Sequence, residues 1–81
     1  MDRDAARRTF DETIAEVLDI EASAVVDQAS FKDDLDVDSL AFVEITLALE
    51  EAFDVEIPEP QPEQVATVGG AWTYVSGLLE L

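Results

Sequence analysis

Apolar residues recur at helical spacing in three stretches of this chain. Phe10, Ile14, Val17 and Leu18 fall within one stripe when residues advance about 100° each, which predicts a first helix from roughly Asp4 to Leu18. A second stretch opens with Asp38 and Ser39, both good N-cap types, and runs from Leu40 to Phe53 without Gly or Pro. The last places Val68, Ala71, Trp72, Val75, Leu78 and Leu79 on one side of a helix capped by Thr67. There Gly69 and Gly70 are expected to weaken the first turn by about 1 kcal/mol each relative to Ala. Alternating prolines in Ile57-Pro-Glu-Pro-Gln-Pro62 cannot continue a helix but can start one, so a short third helix is expected from about Pro62 to Ala66. Residues 19 to 38 form a connection of about twenty residues, a length that calls for a function. Its Val25, Val26, Phe31, Leu35 and Val37 are enough to lay it along a bundle. The expected fold is an all-α four-helix bundle, three main helices plus a short third one, with a long loop between helices one and two.

The second helix divides into two apolar faces. Phe42, Ile45, Leu49 and Phe53, flanked by Ala41, Ala48 and Ala52, form the wide face suited to the core. Opposite, Leu40, Val43 and Leu47 make a narrow stripe with Glu44, Glu50 and Glu51 at nearly the same angles. Apolar residues rimmed by acids suit a docking surface. The plainer alternative packs Val43 and Leu47 under the preceding loop and leaves the acids as a solvated face, and the pattern alone leaves both open.

Eighty-one residues make one domain, 1–81, above the size at which disulfides or metals become necessary. The absence of Cys and His removes the thiolate nucleophile, the usual general base and the common zinc ligands, so self-contained catalysis is not expected. Twenty acids against four bases give a net charge of −16, which disfavours nucleic acid and anionic membranes as partners. The apolar runs are too short to insert in a membrane, Met1-Asp-Arg-Asp does not begin a signal peptide, and cytoplasmic residence is the expectation. From Asp33 to Glu59 every charged residue is an acid, a concentration that points to steering toward basic patches on partners.

Asp34, Asp36 and Asp38 have the spacing that opens an EF-hand loop, but the register then fails. Ser39 occupies the position that needs Gly, Ile45 the position that needs Glu, and the second helix would begin inside the loop. Weak, nonspecific divalent binding is all that this cluster suggests.

The run Phe31-Lys-Asp-Asp-Leu-Asp-Val-Asp-Ser-Leu40, with Val43-Glu-Ile45, Leu49-Glu-Glu51 and Phe53-Asp-Val-Glu-Ile-Pro58, resembles the acyl carrier protein family. The resemblance covers nearly the whole chain, is weakest over the first ten residues, and includes Thr67-Val68 and Tyr74-Val75. It implies a helical bundle in which Ser39 bears covalent 4'-phosphopantetheine, transferred from coenzyme A by a phosphopantetheinyl transferase. By its residues alone Ser39 reads first as a plain N-cap. A helix N-terminus nonetheless favours the phosphodiester such a group would leave there, and a cysteine-free carrier must take its thiol from a prosthetic group.

The resemblance also places Asp38 and Leu40 beside the modified serine, matches Glu44, Glu50 and Glu51 to acids that meet basic patches on enzymes, and puts Val43 and Leu47 at apolar contacts beside them. The partners it implies are the transferase, acyltransferases and ketosynthases, with the chain acting as a monomeric, non-catalytic carrier. Three positions depart from the family pattern: Asp36 stands where many members have Gly and is expected to change the backbone before the motif; Ala41 replaces a common acid; and Pro60 with Pro62 is expected to shorten helix three and stiffen its wall. The implied function is to carry acyl thioesters in dissociated fatty acid synthesis, with polyketide assembly as the alternative and an unmodified acidic interaction module as the remote one. A start at Met1 and an end just past helix four fit a free-standing chain. Cargo is expected to lie between the helices along the wide face with Phe31, Ile57 and Val65, where Phe42 is bulky for a position near the entrance.

Overall fold

The computed structural model describes residues 2–81. Three α-helices carry the bundle: α1 (Arg3–Leu18), α2 (Ser39–Phe53) and α3 (Val68–Leu78), with 3₁₀ turns at Ala22–Ala24 and Pro62–Val65. Among these residues there is no strand, and no helix is long and apolar enough to cross a membrane. The all-α bundle matches expectation. The short third helix is a 3₁₀ turn that ends at Val65, one residue early; Pro62 sits in its first turn, and Gln61 and Gln64 close a capping box across it.

Each helix begins with a side-chain oxygen satisfying an amide that the helix itself leaves unpaired. Asp2 accepts from Ala5 N–H at 2.7 Å, Asp38 from Ala41 at 2.8 Å and Thr67 from Gly70 at 3.1 Å. Ala6, Phe10 and Ile14 carry the buried stripe of α1 against Ile45 and Leu49 of α2 and Val68, Trp72 and Val75 of α3. At its centre the Phe10 ring meets Trp72 edge-on, centroids 5.2 Å apart. Over this pair lies Arg7, which bonds Asp11 at 2.8 Å and reaches Asp27 in the long loop at 2.7 Å while its guanidinium stacks near both rings. One of four basic side chains thus ties α1 to the loop and covers the aromatic centre.

The long loop is held at its middle by a short antiparallel contact with the chain entering α3. Phe31 N–H donates to Ala66 O, Val68 N–H to Ala29 O and Gly69 N–H to Asp27 O, with Ser30 opposite Thr67. This contact explains Gly69, and the neighbouring 3₁₀ turn explains Gly70. A Cβ on Gly69 would stand 3.1 Å from Asp27 O, and one on Gly70 would stand 2.5 Å from Gln64 O. Weak helix formers there are the condition for close approach, not merely a cost. Val25, Phe31 and Val37 are buried as expected of the loop, whereas Val26 points outward.

No glycine here has positive φ. Among the described residues the four left-handed ones are Asp19 and Asp54, which terminate α1 and α2, together with Asp36 and Glu80. The expectation that Asp36 alters the backbone is therefore corrected: its φ of 55° lies in the region that glycine favours, and Asp tolerates it better than most side chains. Asp36→Gly is expected to be more stable than Asp36→Ala by about 1 kcal/mol, since both remove the charge and only alanine pays for a Cβ in the left-handed region. Urea denaturation of the two variants checks this; equal midpoints would count against it.

Candidate functional site

Ser39 is placed by the turn that precedes it. Asp34 and Leu35 N–H groups donate to Ser30 O, the Ser30 N–H donates to the Asp34 carboxylate at 2.7 Å, and Val37 N–H donates to Phe31 O at 2.7 Å. Asp36 turns the chain through its left-handed conformation, and buried Val37 pins it to the core. Asp38 then caps α2 with its backbone extended, and Ser39 follows as the first helical residue, exposed. Asp38 satisfies the Ala41 amide through its side chain and the Phe42 amide through its carbonyl. Among the described residues the Ser39 Oγ and the N–H groups of Ser39 and Leu40 have no protein partner. The result is a free hydroxyl beside two unpaired donors at the positive end of a helix dipole, geometry that suits attachment of a phosphate ester. The acids around it oppose that anion, and no basic side chain adjoins Ser39 in sequence.

Leu40, Val43 and Leu47 are 69%, 54% and 57% exposed, which rejects the alternative that they pack beneath the loop. Leu47→Ala should therefore change unfolding free energy by no more than about 0.5 kcal/mol, the range of surface substitutions. A loss of about 2 kcal/mol or more in a urea melt would return that leucine to the core. Leu40, Glu44, Leu47 and Glu51 follow one another along the same exposed face.

Glu50 stands apart from the other two glutamates. It is half-buried, and its Oε2 accepts the Ile57 N–H at 2.8 Å while its carbonyl accepts the Val55 amide. It anchors the segment after α2 as well as adding charge. Sequence reasoning missed this role, because an acid seven residues before an Ile-Pro step carries no local signature. Tyr74 fixes the same segment from α3, its hydroxyl donating to Pro58 O at 2.7 Å.

Behind the wide face of α2 lies an apolar cavity of about 30 Å³ bounded by Phe10, Phe31, Phe42, Ile45, Leu49, Ile57 and residues of α3. Phe31, Ile57 and Val65 line it as the sequence suggests. The described residues contain no group of three or more Asp and Glu placed to hold a metal ion.

Comparison with known proteins is consistent with this geometry. A family model described as "Phosphopantetheine attachment site" matches residues 8–75. An acyl carrier protein of Rubrobacter xylanophilus is 43% identical over 75 residues, covering 93% of each chain. A solved structure of the acyl carrier protein from Enterococcus faecalis superposes with a TM-score of 0.74 at 37% identity, covering 96% of this chain and 99% of the other.

Proposed function

The chain belongs to the acyl carrier protein family, whose prosthetic group is 4'-phosphopantetheine, and from that premise we propose that Ser39 bears the group and that the protein carries acyl chains as thioesters between enzymes. The exposed serine with an unbonded Oγ beside free helix-terminal amides is the observation that supports this most. When attached, the group supplies the terminal thiol that this chain lacks. The chain's own residues do the rest. Asp38 fixes the helix start so that the hydroxyl is presented to solvent, and the adjoining amides favour the phosphodiester. With no neighbouring base, activation of the hydroxyl falls to the phosphopantetheinyl transferase. The transferase and later the acyltransferases and ketosynthases dock on Asp38, Leu40, Val43, Glu44, Leu47, Glu50 and Glu51, where the acids steer basic patches and the exposed leucines hold the complex.

The protein works as a single-domain cytoplasmic monomer. Dissociated fatty acid synthesis is the first pathway reading. Polyketide assembly is the second, favoured by how little room the cavity offers.

Intact mass after co-expression with a phosphopantetheinyl transferase tests the assignment. Wild type should gain one phosphopantetheine and Ser39→Ala none. Wild type left unmodified under conditions that modify a control carrier would favour the non-covalent interaction module instead.

A further inference from the structure

We propose that the groove between α1 and α2 seats one arginine side chain of a partner enzyme, its alkyl stem lying on Val17, Ala48 and Ala52 while its guanidinium meets Glu16 and Glu51. The inference deepens the docking reading above and rests on it. The groove is open to solvent and is lined by Thr13, Glu16 and Val17 of α1 and by Ala48, Glu51 and Ala52 of α2. Its floor is apolar: the alanines and Val17 supply methyl groups, and the Thr13 hydroxyl is already committed to Thr9 O at 2.7 Å. Each side carries one exposed carboxylate, and among the described residues neither Glu16 nor Glu51 forms an ion pair. Both acids stand in the last turn of their helices, at the negative end of the macrodipole, and neither last turn contains a base. The chain places its four bases elsewhere, Arg3, Arg7 and Arg8 early in α1 and Lys32 in the long loop. A cation from outside is what this groove lacks.

The floor decides which cation. A metal ion wants six or more oxygens, and the described residues offer no group of three acids placed to hold one. A neutral alkyl chain would strip water from two carboxylates and return nothing to them. A long basic side chain satisfies both parts at once, since it buries its methylenes and keeps its charged head at the rim. Arginine suits the pair better than lysine, because its planar fork can bond two carboxylates and is less strongly hydrated. The groove also continues the proposed docking face. Glu51 ends the exposed row of Leu40, Glu44 and Leu47, so an enzyme seated on that row reaches the groove without changing sides. Partner recognition then extends to α1 through Glu16.

Two arms test this. In the first, unmodified protein is titrated with n-butylguanidinium, with guanidinium, n-butylammonium, 1-butanol and MgCl2 as comparisons at matched ionic strength, and backbone amide shifts are followed. Butylguanidinium should give saturating shifts centred on Glu16, Val17, Ala48, Glu51 and Ala52, about threefold or more tighter than guanidinium alone, because the stem adds apolar burial. Glu16→Gln should weaken it about twofold to fivefold, the range of an exposed ion pair. Shifts centred elsewhere, or equal binding by any comparison solute, overturn the proposal. In the second arm, Ser39 modification by a phosphopantetheinyl transferase and turnover of the loaded carrier by a ketosynthase are measured at 150 mM salt. Glu16→Gln should raise KM about twofold to fivefold with at least one enzyme and leave kcat unchanged. Ala52→Leu, which fills the floor and keeps both acids, should do the same, whereas Glu63→Gln, an equal loss of charge on the second 3₁₀ turn, should not. Unchanged KM for Glu16→Gln with both enzymes overturns the proposal, as does an equal rise for Glu63→Gln. Melting temperatures of the variants show whether a change in KM is a change in fold, and Glu16→Gln, at an exposed position, carries the test if Ala52→Leu is unstable. The first arm needs no modified serine, so failure of the Ser39 assignment and failure of this seat are read separately.

Discussion

Phe10→Ala is expected to lower the unfolding free energy by about 3–5 kcal/mol. Phe10 is completely buried, its edge contact with Trp72 joins α1 to α3, and the Arg7 guanidinium lies over both rings. Truncation removes the ring's burial, leaves a cavity that a helix held at both ends cannot collapse around, and strips Arg7 of one aromatic partner. At roughly 0.05–0.15 kcal/mol per residue, a domain of this length has about 4–12 kcal/mol in total, so the change consumes a large share of it. Phe10→Leu, which keeps most of the volume, should cost about 1.5 kcal/mol or less. Urea midpoints of the two variants decide the matter. A loss below about 1 kcal/mol for the alanine form would show that the bundle is centred elsewhere.

Raising salt from about 10 mM to 150 mM should raise the melting temperature by about 8–16 °C. Sixteen excess negative charges sit within a body measuring 30 × 25 × 21 Å. At the lower ionic strength the screening length is about 30 Å, so nearly every acid feels every other, whereas at the higher it is about 8 Å and only neighbours interact. Unfolding relieves the repulsion, since the radius of gyration rises from 11.3 Å to about 28 Å in a disordered chain of this length. Relief of roughly 2 kcal/mol corresponds to about 8–16 °C for a domain of this size. Asp11 adds a pH dependence of known sign. Burial pushes its carboxyl up, outweighing the pull of Arg7 in the other direction. It binds its proton more tightly folded than unfolded, so its contribution opposes folding at neutral pH and fades as pH falls through the raised folded pKa. Mild acidification should therefore act in the same direction as salt. A melting temperature unmoved by either would show that the acids coexist without strain.

What the sequence made legible was whatever depends on spacing within one helix. A cap at Asp38 or Ser39, the two faces of α2 and the Trp72 side of α3 follow from residues a few positions apart, where periodicity and cap chemistry act directly; the structure gives the cap to Asp38 and makes Ser39 the first helical residue. The surface stripe was visible as a pattern, but whether it was covered depended on the path of the long loop, which no local rule fixes. The bonds of Glu50 to Ile57, Tyr74 to Pro58 and Arg7 to Asp27 join segments whose meeting is a product of packing. Asp36 misled because the loss of a glycine was read as a change of backbone, although Asp is one of the few side chains that tolerate the left-handed region; the family's glycine was the better guide to the backbone than the residue itself. Gly69 and Gly70 misled in the opposite sense, since helix propensity sees the cost of a missing side chain and not the neighbouring carbonyls that require its absence.

The antiparallel contact between residues 27–31 and 66–69 encloses the whole of α2 in a loop of chain. Ends so far apart in sequence meet only after that loop's entropy has been surrendered, so the contact belongs to the late, cooperative part of folding and its loss to the early part of unfolding as a whole. The amides of Phe31, Val68 and Gly69 are therefore expected to exchange with solvent deuterium on the timescale of global opening, although one of the two segments they join reads as a loop. Residues 32–37 lie between that clamp and the start of α2, tied back to Ser30 and Phe31 by their own amides and to the core by Val37. The serine thus hangs from a short, bonded turn whose base is expected to be among the last parts of the molecule to let go.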